Sequence, residues 1–135
     1  NDVYMNFNIS TFPTERSLVW NKFKNEPWVT ATKNLSMEKF YMDLATHKFV
    51  LSPRGNGVDC HRTWEALYLR TIPIVRRSTH MKEFEELPIF FLDNWDEVCY
   101  TKLEEFYDKV KNNLYNLDKM KISYWRNKIN EKLHI

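Results

Sequence analysis

The stretch "FVLSPRGNGVDCHRTWEALYLRTIPIV", residues 49–75, decides how the rest of the chain is read. It opens on an apolar run, passes through Pro53-Arg54-Gly55-Asn56-Gly57, and continues with Trp64, Leu67 and Tyr68 at helical spacing. The chain has two glycines in 135 residues, and both fall in this turn. Glycine costs conformational entropy, so a chain that avoids it elsewhere keeps it where the backbone needs positive φ or where something must approach closely. "IPIVR" (72–76) then reads as a second strand, which makes the stretch a βαβ unit.

Working outward, "VYMNF" (3–7), "WVTA" (28–31), "KFVLS" (48–52) and "IFFLD" (89–93) are strand candidates. "KFVLS" is a continuous apolar run of the kind expected in a buried parallel strand. "TERSLVWNKFKNE" (14–26) has Leu18, Val19 and Phe23 on one side of a helix. Ser36 caps "MEKFYMDLATH", in which Met37, Phe40, Tyr41, Leu44 and Ala45 recur at helical spacing. Asp59 is the expected N-cap of the motif helix. Thr101 and Glu104 read as a capping box ahead of Leu103, Phe106, Tyr107 and Val110. "SYWRNKINEKL" (123–133), with Trp125, Ile129 and Leu133, reads as a closing helix. The alternation predicts an α/β, Rossmann-like three-layer domain over residues 1–135, with a mainly parallel sheet of about five strands. Ligands of such folds bind outside the carboxyl ends of the strands, where residues 54–59 would lie.

Composition narrows the classes. Hydrophobic content of 43% and aromatic content of 16% suit a filled core rather than a disordered chain. A net charge of +2 is too mild to argue for a nucleic-acid partner. Cys60 and Cys99, with no CxxC pair, give neither a disulfide framework nor a zinc site, so a cytoplasmic or other reducing compartment is expected. The first ten residues lack the basic and apolar regions of a signal peptide. No apolar run approaches the roughly 18 residues of a membrane-spanning helix.

Charge placement is more informative than net charge. Five of the seven arginines (Arg54, Arg62, Arg70, Arg76 and Arg77) fall between residues 54 and 77, a window without lysine. The rigid guanidinium fork suits phosphate or carboxylate, so the cluster beside both glycines reads as an anion site. A glycine turn entering a helix exposes unpaired N–H groups at the positive end of the helix dipole, with room for a phosphate at Gly55, Asn56 and Gly57. Arg54 and Arg62 would add charge-assisted hydrogen bonds to a diphosphate. Asp59 opposes an anion at the helix start, because its own carboxylate competes for that place.

Glu65, about two turns in, can hold a ribose diol as the acidic residue of dinucleotide folds does. The other reading is an exposed glutamate paired with a basic neighbour. His61 is a further contributor, although a lone histidine is more often structural. Asn8, Ser10 and Arg16, from the end of the first strand and the helix after it, face the same crevice in this reading. Cys60 beside His61 lacks the third, orienting group that a nucleophile needs. GxxxxGK[ST] and GxGxxG are absent, which disfavours a P-loop nucleotidase or an ordinary nicotinamide enzyme. Asp93 and Asp96 form no recognisable metal pattern, and "LDNWDE" reads as a strand end entering a loop.

These residues resemble the donor-binding segment of exostosin-like and related GT-B glycosyltransferases, whose order is F-x-L-x-P-R-G, an R-x-x-E-A-L helix, then a P-[IV] strand. Phe49, Leu51, Pro53, Arg54 and Gly55 match the first part. Arg62, Trp64, Glu65, Ala66 and Leu67 match the helix, and Pro73, Ile74 and Val75 match the strand. "IFFLDNWDEV" and "YWRNKI" also look like the distal portion of this group. Arg70 departs from the pattern, since relatives carry a small residue or glycine after the helix.

The resemblance implies a UDP- or GDP-sugar donor, with Arg54 on the diphosphate and Glu65 on the ribose. It implies no metal, because arginines and a helix terminus stabilise the leaving diphosphate. The acceptor is a glycan or other hydroxyl compound, held by an acceptor-binding half that is expected to be missing from this chain. Two alternatives stand beside it: a non-catalytic nucleotide or anion module, and a protein-interaction domain whose arginines meet an acidic partner.

Overall fold

Phe49, Val50 and Leu51 are buried on both faces of the sheet, as their unbroken apolar run requires. In the computed structural model, which describes residues 2–54, 61–78 and 87–115, they form a central strand. In chain order the elements are β1 (Val3–Met5), α1 (Pro13–Phe23), β2 (Val29–Ala31), α2 (Met37–Ala45), β3 (Phe49–Leu51), α3 (His61–Tyr68), β4 (Ile72–Arg76), β5 (Phe90–Leu92) and α4 (Tyr100–Tyr115). All pairings are parallel, in the order β2-β1-β3-β4-β5. The fold is thus the α/β Rossmann-like arrangement read from the sequence.

Side-chain alternation explains the layers. Val3, Met5, Phe49, Leu51, Ile72, Ile74 and Leu92 share a core with Val19 and Phe23 of α1 and Leu103 of α4. Tyr4 and Val50, one residue out of phase, pack on the other face against Phe40 and Leu44 of α2 and Ala66 of α3. Farther along that face, Val75 meets Trp64 and Leu67. The chain steps one way from β1 to β2 and the opposite way from β2 through β3 to β4. With crossovers of fixed hand, that reversal puts α1 on one face and α2 and α3 on the other.

Some expected boundaries shift. β1 ends at Met5 rather than residue 7, and Phe7 is buried beyond the ladder. Pro13, whose missing N–H suits a first helical position, starts α1, and the helix stops at Phe23 rather than 26. Leu18, expected on the inner side of α1, is 55% exposed; the inward stripe is Glu15, Arg16, Val19 and Phe23. Met37 and Ala45 of α2 and Tyr68 of α3 also face solvent. Ser36 does cap α2, its side chain accepting from the Lys39 N–H at 3.2 Å.

The capping box expected at Thr101 and Glu104 does not form. α4 already begins at Tyr100, where the Leu103 N–H donates to the Cys99 carbonyl, so Thr101 lies inside the helix. A capping box occurs instead at Asn94 and Glu97, around a 3-10 turn at Trp95–Glu97. Asp59 and the closing helix at 123–133 lie outside the described residues.

Arg70 occupies the left-handed region, with φ 61°. The turn after α3 therefore adopts the conformation for which glycine is favoured at a helix end. The left-handed region costs a residue with a Cβ roughly 1–2 kcal/mol. Arg70→Val is expected to unfold at lower urea than Arg70→Gly by about that free energy, because a β-branched side chain tolerates positive φ worst.

A polar cluster ties α2 to β1. The Tyr4 hydroxyl bonds Thr32 Oγ1 at 2.7 Å and donates to Asp43 Oδ2 at 3.3 Å, and Lys39 Nζ donates to Asp43 Oδ1 at 2.8 Å. The hydrogen bond from Lys39 holds the Asp43 carboxyl below its ordinary value of 3.8, outweighing the opposing effect of burial. A depressed carboxyl stabilises the fold above its unfolded pKa, and that contribution is lost as pH falls through the folded value. Urea midpoints of the wild type should therefore decline below about pH 4 more steeply than those of Asp43→Asn.

Candidate functional site

The sheet reverses direction between β1 and β3, and ligands of open α/β sheets sit in the crevice at such a point. The chain leaves β1 through Asn6, Phe7 and Asn8 and leaves β3 through Ser52, Pro53 and Arg54. Arg16 joins these two exits. It is 4% exposed, and its guanidinium donates to the carbonyls of Arg54 (Nε, 3.0 Å), Asn8 (2.7 Å) and Pro53 (3.4 Å). The Phe7 ring lies 5.4 Å from its central carbon. The rigid fork matches three carbonyls that no strand ladder pairs, so Arg16 fixes the crevice backbone.

Arg54 has a different setting. Its guanidinium carbon stands 4.4 Å from the centroid of the Phe12 ring, and its Nε is buried without a hydrogen-bond partner among the described residues. The hydroxyls of Ser52 and Thr63 are also buried and, among the described residues, unpartnered. These three orphan atoms bracket the turn between β3 and α3. Gly55, Asn56 and Gly57 within the turn, with Asp59 and Cys60, lie outside the described residues, as do the side chains of His61 and Arg62.

Glu65, on the second turn of α3, is half-buried and accepts a hydrogen bond from the Tyr41 hydroxyl at 3.1 Å. Its partner is thus a tyrosine of α2 rather than the basic residue considered from sequence. Partial burial and then the Glu65 charge push the Tyr41 hydroxyl above its ordinary pKa. Asn8 and Ser10 are exposed at the mouth. The Asn8 side-chain oxygen accepts from the Ser10 N–H (3.0 Å) and hydroxyl (2.7 Å), so it shapes the loop first.

The arginines read as one group divide. Arg76 and Arg77 follow Val75 at the carboxyl end of β4, whereas Arg70 lies in the turn entering β4 at the opposite end of the sheet. Arg76 approaches Glu15 at 3.6 Å, and Arg77 pairs with both oxygens of Asp93 at 3.0 Å. Glu15, 8% exposed, accepts from the Trp95 indole N–H at 2.8 Å.

Sequence reading missed Phe12 beneath Arg54, Tyr41 on Glu65, and the Glu15–Trp95–Arg76 contact. None of them had a local signal, because each is a contact between segments distant in sequence. Among the described residues no group of three or more His, Cys, Asp or Glu converges as a metal site, and no helix is long and apolar enough to cross a membrane. No protein-family model matches the chain, and no curated protein is significantly similar to it.

Proposed function

We propose that the chain is the donor-binding half of a GT-B-type glycosyltransferase, and that its β3–α3 turn receives the diphosphate of a UDP- or GDP-sugar. The observation that carries this reading is the set of orphan polar atoms around the turn: Ser52 Oγ, Arg54 Nε and Thr63 Oγ1. Buried polar groups are nearly always paired, and leaving one unpaired costs about 1–3 kcal/mol. A ligand rich in acceptor oxygens at the start of α3 would satisfy such groups. The helix dipole and the Arg54 charge favour an anion there.

In this reading Glu65 accepts hydrogen bonds from the ribose hydroxyls, with Tyr41 holding the carboxylate in place. Transfer breaks the bond between the sugar's anomeric carbon and the diphosphate oxygen, and a new bond forms to the acceptor oxygen. The negative charge that gathers on the leaving diphosphate is met by Arg54 and the amino end of α3. The acceptor's proton passes to a base on an acceptor-binding domain. Arg16 keeps the β1 and β3 exits in register and touches no substrate.

The test is calorimetric titration with UDP and GDP, with and without magnesium, on wild type and Glu65→Ala. Saturable binding of one nucleotide, unchanged by magnesium and weakened at least about tenfold (roughly 1.4 kcal/mol) by Glu65→Ala, is expected. Absence of binding at millimolar nucleotide would leave the interaction-domain reading ahead. Binding without turnover in the presence of an acceptor domain would favour a non-catalytic nucleotide module.

A further inference from the structure

A second concavity opens beside the switch point, between the loops that leave β1 and β2. It measures about 450 Å³, within the range of small-ligand sites, and it is lined by Asn6, Asn8, Lys33 and Asn34 with Phe7, Ile9 and Leu35. None of the residues proposed for the nucleotide diphosphate or ribose lines it; Asn8, which does, was expected only to face the neighbouring crevice.

Its chemistry is specific. Three amide side chains each offer both donors and an acceptor, which matches hydroxyl groups, themselves donor and acceptor at once. Asn6 gives one amide proton to Thr32 at 2.9 Å and Asn8 uses its oxygen on Ser10, so both keep hydrogen-bonding capacity. No carboxylate lines the cleft, which disfavours a cationic ligand. Its one cation, Lys33, pairs with no carboxylate among the described residues; its ammonium rests 4.2 Å from the centroid of the Trp20 ring. Phe7 packs edge-on against that indole at 6.1 Å, which fixes the platform. Asn34 presents its amide from a left-handed backbone, φ 56°, which asparagine adopts more readily than most residues. Apolar side chains beside the amides suit a ligand with a C–H face as well as hydroxyls.

We infer that this cleft is a saccharide-binding site, distinct from the nucleotide site and open on the same edge of the sheet. Saccharide binding does not depend on the donor reading. Only its role in presenting an acceptor hydroxyl rests on that reading.

The probes are methyl β-glucopyranoside, methyl β-galactopyranoside, N-acetylglucosamine and cellobiose, with trialanine as a peptide control. Each is titrated into the full chain while backbone amide and tryptophan indole NMR signals are followed. Saturable shifts at Lys33, Asn34 and the Trp20 indole with at least one saccharide, absent with trialanine, are expected. The double variant Lys33→Ala/Asn34→Gly should weaken that binding at least tenfold. Lys33 is exposed, its contact with Trp20 contributes at most about 1 kcal/mol, and glycine keeps the left-handed backbone, so this variant should stay folded with its unfolding midpoint moved little. Shifts with no saccharide, shifts with trialanine alone, or unchanged affinity in the folded double variant would each overturn the inference. UDP and GDP titrated separately report on the nucleotide site, so failure of one site is distinguishable from failure of the other.

Discussion

Arg16→Ala is expected to lower the free energy of unfolding by about 3–5 kcal/mol, a loss typical of the most damaging single substitutions. Arg16 is 4% exposed, and its guanidinium serves the carbonyls of Asn8, Pro53 and Arg54 together. A hydrogen bond to a charged group contributes about 1.5–3 kcal/mol, and its loss strips the Pro53 and Arg54 carbonyls of that donor, whereas the Asn8 carbonyl keeps the Thr11 N–H. The three bonds do not simply add. Removing the guanidinium also relieves the cost of burying its charge, which holds the net loss below their sum.

Arg16→Lys should recover less than half of the loss, because one ammonium on a flexible stem cannot meet three fixed carbonyls in the same geometry. Urea unfolding checks both variants, with a lower midpoint at unchanged slope as the expected signature. A loss below about 1 kcal/mol for Arg16→Ala would mean that the β1 and β3 exits are held by other contacts.

Arg54→Ala should show the opposite profile. Its cation–π contact with Phe12 contributes only about 0.5–1 kcal/mol at a partly exposed site, so the unfolding midpoint should move little. Nucleoside diphosphate affinity should fall by about 10- to 100-fold, the equivalent of about 1.4–2.7 kcal/mol, if a charge-assisted bond to the diphosphate is lost. Arg54→Lys keeps the charge without the fork and should fall between the two. Calorimetric titration with the nucleotide that wild type binds provides the measurement. Two arginines that the sequence reading brought to one crevice are thus separable, one by its effect on the fold and the other by its effect on ligand.

The sheet was legible because burial leaves a simple trace in short parallel strands: Phe49, Val50 and Leu51 are all apolar since both faces are covered. The α1 stripe was not, because its first inward turn carries Glu15 and Arg16, charged residues that periodicity assigns to solvent. Leu18, apolar and adjacent to Val19, reads as a core residue for the same reason. The start of α4 was misplaced because Thr101 and Glu104 have capping-box spacing, whereas the helix had already begun at Tyr100.

Within the candidate site, Arg54 and Glu65 were visible from a glycine turn followed by helical spacing. Their neighbours Phe12 and Tyr41 come from α1's entry and from α2, and no local pattern links those segments to the motif. The positive φ at Arg70 could be anticipated only as a departure from a glycine-bearing resemblance.

The most direct measurement is a crystal structure of the chain with whichever of UDP or GDP binds more tightly. A diphosphate at the amino end of α3, bonded to Arg54 and to at least one of the Ser52 and Thr63 hydroxyls, with the ribose on Glu65, is the predicted result. A nucleotide bound elsewhere, with those atoms still unpartnered, would contradict the donor-site assignment.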